Sequence, residues 1–139
     1  MATWGIGPYA NDFAQDWAED LQESNDLYFI ENTLDNVLSS EQADVLEAPY
    51  GAEGLAAVET LLRLFGREGE SDEDTQAVDD WVGAIKGRFR PRADLFEKAG
   101  RVLDLILSER SELRQLWQDS EHDEPWRAGV LAQKARLQE

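Results

Sequence analysis

The chain has 139 residues, 42% of them hydrophobic, with five Trp, five Phe and three Tyr. That length fits one domain able to build its own core, and the apolar and aromatic content excludes a disordered chain. Net charge is −17, from 30 acidic and 13 basic residues, and cysteine is absent; this excludes disulfides, thiolate metal centres and a cysteine nucleophile, and it disfavours nucleic-acid phosphates and anionic membranes as partners.

Helical periodicity dominates, with no sustained period-two alternation and no Asn-Gly or Asp-Gly hairpin signal. Gly5, Gly7 and Pro8 punctuate the approach to a first helix that begins near Asn11–Asp12. Asn11 serves as N-cap, and Asp12 suits the positive end of the helix. Phe13, Ala14, Trp17, Ala18 and Leu21 fall on one side of the helical wheel, and Asp12, Asp16, Glu19, Asp20 and Glu23 on the other. Ser24–Asn25–Asp26 caps a second helix with the stripe Leu27, Ile30, Leu34, Val37 and Leu38. Phe29 points off that stripe, either back onto the first helix or to solvent.

Ala48–Pro49–Tyr50–Gly51 reads as a break before a third helix with Leu55, Val58, Leu61, Leu62 and Phe65 inward and Gly66 as its C-terminal cap. Residues 66–75, GREGESDEDT, read as a loop. A fourth helix carries Val78, Trp81, Val82, Ile85 and Phe89 and ends at Arg90, because Pro91 disfavours helical geometry there. The fifth has the widest apolar face, Leu95, Phe96, Ala99, Val102, Leu103, Ile106 and Leu107, which predicts a central position. After a bend near Ser108–Ser111 the stripe resumes at Leu113, Leu116 and Trp117. The last helix begins around Asp123–Pro125, a first turn that tolerates proline, and carries Trp126, Val130 and Leu137. The expectation is an all-α, irregular single-domain bundle of about six helices with short connections, spanning residues 1–139.

The opening Trp4-Gly5-x-Gly7-Pro8-Tyr9-x-Asn11-Asp12-x-Ala14-x-Asp16-Trp17 resembles the start of a bacterial family catalogued as domain of unknown function 4259. Leu46-Glu47-Ala48-Pro49 running into Ala56-Ala57, and Ser111-Glu112-Leu113-Arg114-x-Leu116-Trp117 followed by Pro125-Trp126-Arg127, resemble it too. The resemblance spans nearly the whole chain. It implies a small single-domain bacterial protein and carries no activity or catalytic residues with it. Physically, Gly5 and Gly7 permit positive φ. Trp4 would then fold back beside Trp17, so Trp4, Gly5, Gly7, Asn11 and Trp17 are read as a structural lock.

No constellation assembles a chemistry. Gly5-x-Gly7 lacks the preceding strand and third glycine of a dinucleotide fingerprint, and Pro8 removes a donor. His122 is the single histidine, in a polar stretch without a nucleophile-elbow motif. Glu68, Glu70, Asp72, Glu73 and Asp74 do not match the spacing of a calcium-binding loop, and the Glu-x-x-His pairs of di-iron bundles are absent. No metal and no cofactor is expected. Arg88-Phe89-Arg90-Pro91-Arg92 is basic with an aromatic inside, but it is short and set in a strongly acidic chain.

The acidity itself is lopsided. Residues 1–80 hold twenty acidic and two basic residues, and residues 81–139 hold ten and eleven. Along the first helix, pairs such as Asp12–Asp16, Asp16–Asp20 and Glu19–Glu23 set like charges four apart, each costing ~0.2–0.5 kcal/mol in an isolated helix. Arg88–Arg92 or Arg101 could relieve them within the chain; a basic partner could do so from outside. The leading expectation is an acidic protein-binding module that caps a basic partner, as immunity proteins and antitoxins do, with Asp12, Asp16, Glu19, Asp20 and Glu23 as contact residues. The alternatives are a self-associating structural domain, for which five Trp offer anchors, and a carboxylate enzyme using a divalent ion. The N-terminus has no basic region or long apolar run and no stretch approaches a membrane span, so a cytoplasmic protein without nucleic-acid or membrane partners is expected.

Overall fold

The computed structural model describes residues 5–67 and 69–139, and among them the chain forms seven α-helices and no strand. Trp4 and Glu68 lie outside the described residues.

α1 (Asp12–Leu21) starts where its amphipathicity starts. Asn11 is extended, and its Oδ1 accepts the Ala14 amide at 2.8 Å. Ala14, Trp17, Ala18 and Leu21 are buried as expected, whereas Phe13 remains 38% exposed. α2 (Tyr28–Leu38) has Leu27 as its N-cap residue, and the Asp26 carboxylate in the turn before it accepts the Tyr28 amide at 2.9 Å. Phe29 turns back onto α1 and stacks on Trp17 with ring centroids 5.2 Å apart. The Trp17 indole in turn donates to the Thr33 hydroxyl at 2.8 Å. That contact ties α1 to α2.

α3 (Ala48–Leu64) begins at Ala48 itself, where the sequence predicts an Ala48–Gly51 break. Those residues are its first turn. Pro49 is tolerated there because first-turn amides have no partner inside the helix. The Ala48 amide is satisfied from afar, by Glu112 Oε1 at 2.8 Å. A short parallel bridge lies beside it: the Leu46 amide donates to the Arg110 carbonyl and the Glu112 amide to the Leu46 carbonyl, both at 2.9 Å. The far end closes as expected. Gly66 takes φ +79°, its amide reaches the Arg63 carbonyl, and the Arg67 amide reaches that of Leu62.

α4 (Gln76–Ile85) follows a single 3-10 turn, Glu73–Thr75, in which the Asp72 carboxylate and the Thr75 hydroxyl each accept the other residue's amide. It ends at Ile85 rather than Arg90, because Gly87 at φ +90° turns the chain before Pro91 can. Phe89 therefore sits in the connecting segment. α5 (Ala93–Ile106) and α6 (Glu112–Gln118) are separate helices. The predicted bend is a full interruption, since Ser111 is an N-cap whose hydroxyl accepts the Arg114 amide at 3.2 Å. That raises the count from six to seven. α7 (Asp123–Leu137) completes the bundle.

The centre is α3, not α5. α3 packs on all six other helices, while α5 packs on α2, α3 and α7. α3 can be surrounded because its alanines and glycines let neighbours approach on every side. A Cβ on Gly54 would lie 3.0 Å from Val37, 3.2 Å from Val102 and 3.3 Å from Ile106, all buried. Gly54→Ala should therefore destabilise by about 1–3 kcal/mol in urea unfolding, although alanine is the better helix former.

Candidate functional site

Two features stand out beyond the core: the acidic face of α1, and a cleft with a charged floor beside the opening segment.

Asp12, Asp16, Glu19 and Asp20 on α1 are all exposed, and so is Glu23, which lies in the turn after the helix rather than on its face. None has a cation within ion-pair distance among the described residues. Of the in-chain cations that the sequence offered, Arg92 and Arg101 are engaged elsewhere. Arg92 pairs with Glu31 at 3.2 Å and Asp94 at 2.6 Å, and Arg101 pairs with Glu41 at 2.7 Å. Glu31, held by Arg92 and then Lys98, has its carboxyl below the ordinary glutamate value.

Glu53, half-buried on α3, shows the opposite shift. Burial pushes its carboxyl up, and the neighbouring charge of Asp20 adds to it. A carboxyl that binds its proton more tightly folded than unfolded stabilises the fold in acid, and that contribution is lost as pH rises through its folded value. Glu53→Gln should therefore be more stable than the parent chain at neutral pH. In pH-dependent urea titrations the gap should close as pH falls below the ordinary glutamate range.

The cleft has a volume of about 500 Å³ and lies between the Ile6–Ala10 segment, α3, residues 69–75 and α7. Its floor is a buried ion set that sequence reasoning missed. Glu59 is 1% exposed. Arg136 grips it with both Nη atoms, at 2.9 Å to Oε1 and 3.1 Å to Oε2. Gln133 donates to Oε1 at 3.2 Å and the Gly69 amide to Oε2 at 3.0 Å. Arg63, one turn along α3, places Nε 3.3 Å from Oε2 without hydrogen-bond geometry. Its Nη1 donates to Asp79 Oδ1 at 2.6 Å and its Nη2 to the Glu70 carbonyl. Thr75 holds the other Asp79 oxygen at 2.9 Å. Two guanidiniums thus meet two carboxylates. Both Glu59 oxygens are occupied, so the set staples α7 and residues 69–79 onto α3.

Tyr9 closes the inner wall. Its hydroxyl bonds that of Thr60 at 2.8 Å, and burial pushes the phenol well above its ordinary value.

The sequence's other candidates fall into place around these features. Gly7 does not adopt positive φ, and a Cβ there would meet only ordinary contact with Ala10. At Gly5 the demand for glycine is steric: a Cβ would come within 2.9 Å of that of Ala10, and its amide bonds the Ala10 carbonyl at 2.8 Å. Trp17, Trp81, Trp117 and Trp126 are core residues, so they are not surface anchors. His122 is exposed at the start of α7. Among the described residues no three His, Asp or Glu side chains are grouped to hold a metal, and no helix is long and apolar enough to cross a membrane.

The segment that walls the cleft, Ile6 to Ala10, is also part of the motif by which the chain resembles other sequences. A family model described as domain of unknown function (DUF4259) matches residues 2–129. The chain belongs to the DUF4259 family. The match covers α1 to α6 and reaches Gly129 inside α7, so Glu59, Arg63 and Asp79 fall within the DUF4259 region and Gln133 and Arg136 beyond it. Comparison with curated proteins and with solved structures gives no match.

Proposed function

We propose that this DUF4259 chain is a protein-binding module that caps a basic partner with the outer face of α1, in the manner of immunity proteins and antitoxins. The observation that supports it is the unrelieved charge: four exposed carboxylates on one short helix and a fifth, Glu23, in the turn that follows it, with no ion pair to any of them among the described residues. A folded surface that keeps such self-repulsion gains most from a cationic partner, through steered encounter and complementary contacts.

The test is capture from a lysate of the source cell, at low and then high salt. The parent chain is compared with a variant carrying Asp12→Asn, Asp16→Asn, Glu19→Gln, Asp20→Asn and Glu23→Gln. Basic proteins held by the parent, released by salt and lost with the variant would uphold the reading. The same proteins retained by the neutralised variant would sink it.

A further inference from the structure

The cleft adjoins the Asp12 end of the acidic face of α1. Ala10 and Asp74 line the cleft and also a shallower depression that contains Asp12 and Gln15. Gln15 fixes this junction by donating to the Tyr9 carbonyl at 2.7 Å and the Asp74 carbonyl at 3.1 Å. The walls of the cleft are mainly apolar, with Ile6, Pro8, Leu55 and Val130 facing its space. Its rim carries Glu70, Asp72 and Asp74. The guanidiniums of its floor are already paired with Glu59 and Asp79, which offsets their charge toward an anion. A volume of about 500 Å³ with apolar walls, a negative rim and a floor of paired charges suits a guest with an apolar stem and a cationic head.

We propose that the cleft is the socket for a lysine or arginine side chain of the basic partner. This step rests on the reading of α1 given above and adds the anchor to it. The α1 face guides the partner in, and one basic side chain lays its methylenes along Pro8, Leu55 and Val130 while its head meets the rim carboxylates. Such a desolvated anchor concentrates binding energy in a way that a flat charged face does not.

Gly129 supplies a clean probe of the idea. It lines the cleft, and a Cβ built on it meets nothing within 4 Å. Gly129→Leu therefore has open space for its Cβ at the cleft wall, and it replaces a helix-interior glycine with a better helix former. The experiment is a titration of the full ¹⁵N-labelled chain with a nona-arginine peptide, followed by amide NMR shifts. The parent, Gly129→Leu and the α1-neutralised variant are compared.

The expected result is that the Gly7, Gly69 and Gly129 amides move together with those of α1 in the parent. Gly129→Leu should stay folded and bind at least ~10-fold more weakly. Shifts confined to α1, or a Gly129→Leu chain that binds as tightly as the parent, would overturn the socket and leave the α1 reading intact. Shifts at the three glycines that persist undiminished in the α1-neutralised variant would keep the socket and overturn the role of α1. No shift at either place would overturn both.

Discussion

Glu59→Leu should destabilise the fold by about 3–5 kcal/mol, because it removes the shared partner of two guanidiniums and leaves the partly buried Arg136 without a carboxylate. Glu59 is among the most deeply buried side chains of the chain, and both of its oxygens are held. Arg63 keeps Asp79 after the change, but Arg136 keeps only the Arg67 carbonyl, 2.9 Å from Nη1. Glu59→Gln preserves the volume and one acceptor, yet it sets an amide donor against donors from Gly69, Gln133 or Arg136, so most of the loss should remain. Arg136→Met should cost less, since that side chain is 20% exposed and its removal leaves Glu59 with Arg63, Gln133 and the Gly69 amide. Urea unfolding of the three variants gives the ranking. A Glu59→Leu chain within about 1 kcal/mol of the parent would mean that the ion set contributes no more than an apolar cluster would.

The second large effect is expected at Trp126, on the opposite end of α7 from Arg136. Trp126 is 2% exposed and stacks on Trp117 with centroids 6.1 Å apart and planes within 10°. It is the main apolar hold of the first turns of α7, a helix whose other buried residues are only Val130, Gln133 and Leu137. Trp126→Ala should cost about 3–5 kcal/mol in the same assay. Trp126→Phe should recover much of that, because a ring still fills the site opposite Trp117. Equal losses for both variants would point to the indole edge rather than the stacked area as the source of stability.

Much of this architecture was legible from residue spacing. The Asn11 cap and the buried Ala14, Trp17, Ala18 and Leu21 of α1 are legible because a single amphipathic period runs from Asn11 to Leu21, although Phe13 stays exposed and Glu23 falls beyond the helix. Gly66 was placed correctly because a left-handed cap has a one-residue signature. The errors came where local rules competed. Pro49 can end a helix or begin one, and what decides is a capping carboxylate from Glu112, sixty-four residues away. The central place was assigned to α5 on the width of its stripe, yet α3 takes it through small residues, which count for little in an apolar tally.

The charged floor of the cleft was only half visible. Glu59 and Arg63 stand one turn apart inside the run Leu55 to Phe65, and Arg63 is one of two bases in the first eighty residues. That pairing was a readable signal. Gln133 and Arg136 join it by tertiary packing from seventy-four and seventy-seven residues away, and no local pattern marks them.

The bridge between Leu46 and Ser111 bears on how the molecule opens. Leu46 and Glu112 lie outside or at the edge of helices, where amides ordinarily exchange with solvent in local fluctuations. Here each amide is bonded to a segment more than sixty residues distant, and the bonds last only while α3, α5 and α6 stay docked. Both amides should exchange as slowly as those in the middle of α3. In hydrogen-exchange measurements, two linker positions would then report the opening of the whole bundle.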